Sequence, residues 1–163
     1  MVVDNQLVNM PIFALFKPDG KTPLPPAIWD KIKGVWGLVF EAMVELADPA
    51  FSFVLTNVLL DEDPGDHAWF ANVAEVARRR GSRFLPVRLV CDLEENVRRV
   101  QSPGRAERMK QLDAETLRRM YREESVLRPD WPGALTLDVT ALSPGEAAAR
   151  VVEAAQGASE SAP

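Results

Sequence analysis

Apolar positions along the chain follow two different periods. From Ala27 to Ala47 they recur three and four residues apart, at Ile28, Ile32, Val35, Trp36, Val39, Phe40, Met43 and Leu46, which predicts a helix with one apolar face. Asp48-Pro49 stops it, because the residue before a proline is pushed out of helical conformation. Phe51 to Leu60 is instead a nearly continuous run of Phe, Val and Leu, the pattern of a strand buried on both faces in a parallel sheet. Asp61-Glu62-Asp63-Pro64-Gly65 reads as a turn, and Asp66 to Arg80 as a helix carrying Trp69, Phe70, Val73, Val76 and Ala77 on one stripe, ended by Gly81. Arg83 to Cys91 is the next predicted strand. Asp92 is placed to cap a helix running to about Gln101, with Glu94 and Glu95 in its first turn, where acids complement the helix dipole.

Ser102-Pro103-Gly104 breaks that helix, and Asp113 caps a further one through about Glu124. Ala134 to Val139 reads as a short strand. Ser143-Pro144-Gly145-Glu146 combines an N-cap, a first-turn proline and a capping-box acid, opening a last helix that ends near Gln156. At the other end of the chain, Pro18 to Pro26 carries too many prolines for a helix interior or a central strand and reads as a loop. From residue 51 onward strands and helices alternate, so the expected fold is α/β, a parallel sheet with helices on both faces and right-handed crossovers. The expectation is a single domain over residues 1–156, with 157–163 as a disordered tail of small residues.

Composition narrows the function classes. With 163 residues, 47% apolar and 26% charged, the chain fits one ordinary globular domain. One cysteine, Cys91, forms no internal bridge, and without a Cys/His cluster structural zinc is disfavoured. No apolar run is long enough to cross a bilayer, and the N-terminus lacks the basic region of a secretory signal, so the expected location is cytoplasmic, with no membrane partner. A net charge of −5 weighs against nucleic acid as a partner, since phosphate contacts need a basic face.

Candidate chemistry is scattered. Gly20-Lys21-Thr22 imitates the end of a phosphate-binding P-loop, but the first glycine of that motif falls on Leu15, and Pro23, Pro25 and Pro26 block the helix that should follow. A basic segment holds Arg98, Arg99, Arg105, Arg108 and Lys110, and arginine forks on a loop beside a parallel sheet suit phosphoryl oxygens; a solvated helix face paired with Glu94, Glu95 and Glu107 is the plainer reading. Asp4, after Val2-Val3, falls where a strand would end facing a ligand crevice, placed to accept a proton from a hydroxyl; a helix cap or a frayed terminus is the plainer reading. Asn57 with Asp61, Glu62 and Asp63 has the donor types to hold Mg²⁺ through water, although an acidic turn accounts for them too. His67 reads as a first-turn helix residue and Cys91 as a small core residue. Trp29 and Trp36 read as packing residues, with a place in the lining of a substrate pocket as the alternative.

Taken in order, Asp4-Asn5-Gln6-Leu7-Val8-Asn9, the run Ser52 to Val58, Pro86 to Cys91 with its Glu/Arg helix, Ser102-Pro103-Gly104-Arg105 with Arg108 and Lys110, and Leu137 to Pro144 resemble the P-loop small-molecule kinases, the group of chloramphenicol phosphotransferase-like, shikimate-kinase-like and gluconate-kinase-like proteins. The resemblance spans about residues 2–156. It implies a P-loop nucleoside triphosphate hydrolase-like fold, ATP and Mg²⁺ as cofactors, and a small-molecule acceptor. It gives Asp4 the acceptor hydroxyl, Arg105 and Arg108 the lid over the phosphates, Arg98 or Arg99 a place on the helix leading into that lid, and the loop Thr140 to Pro144, with Thr140 and Ser143, the adenine.

The first strand, the glycine-rich loop and its helix, which such kinases carry before the residue matched by Asp4, have no counterpart here, and that strand is the central one in the order the resemblance implies. The expectation is therefore an N-terminally shortened kinase whose sheet either closes up or splits where the central strand is absent. The alternative expectation is a non-catalytic nucleotide-fold module, with a homodimer covering the gap.

Overall fold

The computed structural model describes residues 1–17, 22, 24–102 and 113–157. A short strand β1 (Val2–Asp4) runs directly into helix α1 (Asn5–Phe16), and α2 (Pro26–Glu45) follows. Strand β2 (Val54–Thr56), helix α3 (Pro64–Arg79) and strand β3 (Val87–Val90) come next, then α4 (Leu93–Val100), α5 (Ala114–Glu123), β4 (Leu135–Asp138) and α6 (Pro144–Gly157). No described helix is long and apolar enough to cross a membrane.

The local signals for helix ends operate as their chemistry dictates. Asp63 accepts from Gly65 N–H at the start of α3, Asp92 from Glu94 and Glu95 N–H at α4, and Asp113 from Thr116 N–H at α5. Ser143 and Glu146 close a capping box: the Ser143 N–H donates to Glu146 Oε2 at 2.8 Å, and the Glu146 N–H donates back to Ser143 Oγ at 3.3 Å. Gly81, at φ +62, ends α3, with its N–H donating to Arg78 O and the Ser82 N–H donating to Ala77 O.

Helix α1 is the element that hydrophobic periodicity does not announce. Its residues are apolar on nearly every side, and Pro11 sits inside it. The helix is anchored from one end, where the Asp4 carboxylate accepts from Gln6 N–H at 2.8 Å. Its buried residues Val8 and Phe13 pack with Ile28, Ile32 and Trp36 of α2, and Val3, Leu55 and Trp69 close the same core. Leu7, Leu15 and Phe16 stay exposed on its outer side.

The strands form two parallel pairs rather than one sheet. β1 pairs with β2, Val2 opposite Val54 and Asp4 opposite Thr56, and β3 pairs with β4, Val87 opposite Leu135 and Val90 opposite Asp138. Of the two expected arrangements, a sheet that closes up and one that splits, the described residues take the second, as two small parallel sheets. The strand expected over Phe51–Leu60 is paired only at Val54–Thr56, and it is not buried on both faces: Val54 is 54% exposed and Val58 63%. Leu89 of β3 is 52% exposed. The physical reason is that, among the described residues, β2 and β3 each have a ladder partner on one edge alone, so their apolar side chains lack the neighbours that bury them in a complete parallel sheet. No large side chain among the described residues is fully withdrawn from solvent.

Contacts between the segment after β2, helix α3 and the segments before β3 and β4 tie the two strand pairs together. Leu60 and Val126 form an antiparallel bridge just beyond β2, and Arg88 of β3 donates to Val126 O at 3.2 Å. Phe70 of α3 packs on Phe84 and Trp131, whose ring centroids lie 5.2 Å apart. A second small core of Val97, Val100 and Leu117 joins α4 to α5.

Candidate functional site at the carboxyl ends of the strands

Open parallel sheets bind ligands beyond the carboxyl ends of their strands. At the end of the β1–β2 pair stand Asp4, Asn5, Thr56 and Asn57. The Asn5 N–H donates to Thr56 Oγ1 and its side-chain Nδ2 donates to Asn57 Oδ1, each at 3.3 Å. The Val58 N–H donates to the same Asn57 oxygen at 2.9 Å. One turn into α1, Gln6 Nε2 is buried and has no hydrogen-bond partner. Asn9, a buried polar residue, accepts the indole N–H of Trp36 at 3.3 Å.

The acids that follow β2 serve the chain itself. Asp61 accepts from Arg128 N–H through its side chain at 2.9 Å, and its carbonyl lies 2.9 Å from His67 Nε2. Glu62 accepts from Ser125 N–H, and Asp63 caps α3. Asp66 accepts from Leu60 N–H at 2.8 Å, and burial raises its pKa above the ordinary carboxylate value. No group of three or more His, Cys, Asp or Glu gathers as a metal site among the described residues.

The ends of β3 and β4 are joined by a latch. The Asp92 N–H donates to Thr140 Oγ1 at 2.8 Å. Arg99 reaches back from α4 and donates to Val139 O at 2.9 Å and Thr140 O at 3.1 Å, while its Nε donates to Glu95 at 2.6 Å. Arg98 donates twice to the same Glu95 carboxylate, at 2.7 and 2.6 Å. Hydrogen bonds from Arg98, then Arg99, hold Glu95 down to about 2. The Tyr121 hydroxyl donates to Cys91 O and accepts from Asn96, fastening α5 to the same corner.

The residues singled out by sequence therefore divide. Arg99 and Thr140 meet directly, Arg98 shares the Glu95 carboxylate with Arg99, and Ser143 caps α6 five residues beyond the end of β4. Asp4 stands at the end of the other strand pair. Arg105, Arg108 and Lys110 lie outside the described residues. Trp36 belongs to the core, whereas Trp29 is partly exposed with its ring set edge-on to Phe13. No motif marks Gln6, Asn9 or Tyr121 as chemistry-bearing, since each is a lone amide in an apolar run or a lone tyrosine on a charged helix. Comparison with protein-family models, with curated proteins and with solved structures found no match.

A separate open groove of about 640 Å³ is lined by Phe70, Ala74, Phe84, Asp130 and Trp131. Phe84 and Trp131 precede β3 and β4, so the groove belongs to the amino ends of those strands, away from the crevice.

Proposed function

We propose that the chain is a P-loop-kinase-like protein that transfers the terminal phosphoryl group of ATP to a hydroxyl of a small acceptor. One observation carries this reading: Asp4 ends a parallel strand opposite Thr56, and among the described residues β2 and β3 each have one unpaired edge of the kind a further parallel strand would complete. In the reaction, the acceptor oxygen bonds to the terminal phosphorus, the bond from that phosphorus to the ADP oxygen breaks, and the hydroxyl proton passes to the Asp4 carboxylate. Arg105 and Arg108 neutralise the charge that develops on the phosphoryl oxygens. Mg²⁺ would come bound to the nucleotide phosphates and would neutralise their charge.

The test is calorimetry of Mg-ATP binding to the purified chain, with the Arg105→Ala, Arg108→Ala double variant as control. Saturable binding that the double variant loses supports the reading. A folded chain that takes up no Mg-ATP overturns its nucleotide part.

The exposed Val54, Val58 and Leu89 favour a second reading, a non-catalytic binding module that covers these strands by pairing with another copy. It predicts a concentration-dependent unfolding midpoint and a dimer in sedimentation. A monomer whose midpoint is independent of concentration removes it.

A further inference from the structure

We infer that the groove at the amino ends of β3 and β4 binds a small organic cation of the alkylated-ammonium class, held against the rings of Phe70, Phe84 and Trp131 with the Asp130 carboxylate at its side. The groove lies apart from the crevice at the carboxyl ends of the strands, and the inference does not depend on the kinase reading.

Three segments each bring one aromatic ring to this groove: α3 brings Phe70, the stretch before β3 brings Phe84, and the stretch before β4 brings Trp131. Phe70 and Phe84 are inclined by 52°, Phe70 and Trp131 by 76°, and Phe84 and Trp131 by 73°. Three planes set at these angles share no common direction, so a ligand in the groove cannot meet all of them edge-on. It meets ring face, which carries the negative end of the aromatic quadrupole and attracts a cation. Ala71, Ala74 and Ala77 line the groove from α3, and their small side chains leave the space open. Its volume of about 640 Å³ is that of a site for a small molecule.

The charge around the groove has the matching sign. Its charged lining residues are Glu75, Arg78 and Asp130. Arg78 donates its Nε to one Glu75 oxygen at 2.6 Å and its Nη2 to the other at 2.5 Å, so these two side chains neutralise each other. Arg83, between the lining residues Ser82 and Phe84, gives its guanidinium to the carbonyls of Ala154 and Ala155 near the end of α6. Asp130 is exposed, and no described residue forms a hydrogen bond or ion pair with its carboxylate. One uncompensated negative charge therefore stands beside the aromatic faces, which favours a cation over an anion or a neutral molecule of the same shape. A hydrated metal ion gains nothing from alanine and ring surface. An alkylated ammonium offers methyl groups to the rings and a diffuse positive charge to Asp130.

The experiment follows the Trp131 indole N–H by NMR in the ¹⁵N-labelled full chain, its signal assigned by its disappearance in Trp131→Phe. The chain is titrated with choline and, separately, with 3,3-dimethylbutan-1-ol, which keeps the shape of choline and replaces the charged nitrogen with a neutral carbon. The expected result is a saturable shift of the Trp131 indole with choline, and affinity for the neutral alcohol weaker by about tenfold, or about 1.4 kcal/mol. Asp130→Asn, at an exposed side chain without a partner in the fold, should leave the unfolding midpoint in place and weaken choline binding by about threefold, the scale of an exposed charge pair. Equal affinity for the two probes, no saturable shift, or choline binding unchanged by Asp130→Asn overturns the inference. An indole signal that moves on dilution of the chain and not with choline would make the groove a contact between copies, and overturns it as well.

Discussion

Trp36 donates its indole N–H to the side-chain oxygen of Asn9, joining α2 to α1 inside an otherwise apolar core. Removing the acceptor leaves a buried donor unsatisfied, which costs about 1–3 kcal/mol. Asn9→Leu should therefore lower the urea midpoint markedly despite adding apolar volume. Restoring the midpoint by adding Trp36→Phe, which removes the stranded N–H, would identify the hydrogen bond as the cause. A midpoint unchanged by Asn9→Leu would mean the bond contributes nothing.

Arg80 holds the end of α3 to the chain that follows α2. Its guanidinium donates to the carbonyls of Met43, Asp48 and Phe51 and stands over the Phe53 ring, 4.8 Å from its centroid. Three carbonyls are recognised by the planar fork together, so Arg80→Lys should recover only part of what Arg80→Ala loses. The expected loss for Arg80→Ala is about 2–3 kcal/mol, on the scale of hydrogen bonds to a charged group. Denaturant unfolding of both variants measures it.

The latch at the end of β3 and β4 should release in acid. Hydrogen bonds from Arg98 and Arg99 hold the Glu95 carboxyl down from its ordinary 4.5 to about 2. A carboxyl depressed in the folded state contributes stability that is complete above its unfolded value and is lost as pH falls toward its folded value. Asp138, hydrogen-bonded by the Thr140 side chain and backbone, and Glu146, bonded by Ser143, are shifted in the same direction and lose their contribution on the same side. Asp66 runs the other way, since burial raises it, and it favours folding at the acid end of its own titration. Urea midpoints measured from about pH 6 down to about pH 3 should fall for the wild type and fall less steeply for Glu95→Gln. Equal slopes would remove Glu95 as the sensor.

Gly81 isolates a backbone effect from a packing effect. It sits at φ +62, and an added Cβ would meet nothing within 4 Å. Gly81→Ala should cost about 1 kcal/mol from the left-handed conformation alone. Gly145→Ala, also in open space but without a positive φ, serves as the control and should be close to neutral. Thermal unfolding of the two variants separates the cases.

What the sequence discloses and what it withholds follow from the range of each interaction. Caps at Asp92, Asp113 and Ser143 are readable because donor and acceptor lie within three residues of each other. The apolar face of α2 is readable because its period is local. The partner of Arg99 is half readable: Glu95 is one helical turn away, but Val139 and Thr140 are reached only through the fold. The separation into two strand pairs depends on which edges meet, and an apolar run looks the same whether one edge is paired or two. At the candidate site Asp4 is visible as an acid after a short apolar strand. The orientation of the Asn57 amide becomes visible only when Asn5 and Val58 show which side carries the oxygen.

The β2 and β3 edges that have no ladder partner among the described residues also set a condition on how this polypeptide is handled. Unpaired strand edges with apolar side chains are templates for backbone from any source, including misfolded copies of the same chain. Solubility then depends on competition: whatever backbone arrives first, correct or not, finishes the ladder. On this view the yield of soluble protein is itself a readout, and it should rise when Val54 or Leu89, both exposed and contributing little to the core, is replaced by lysine.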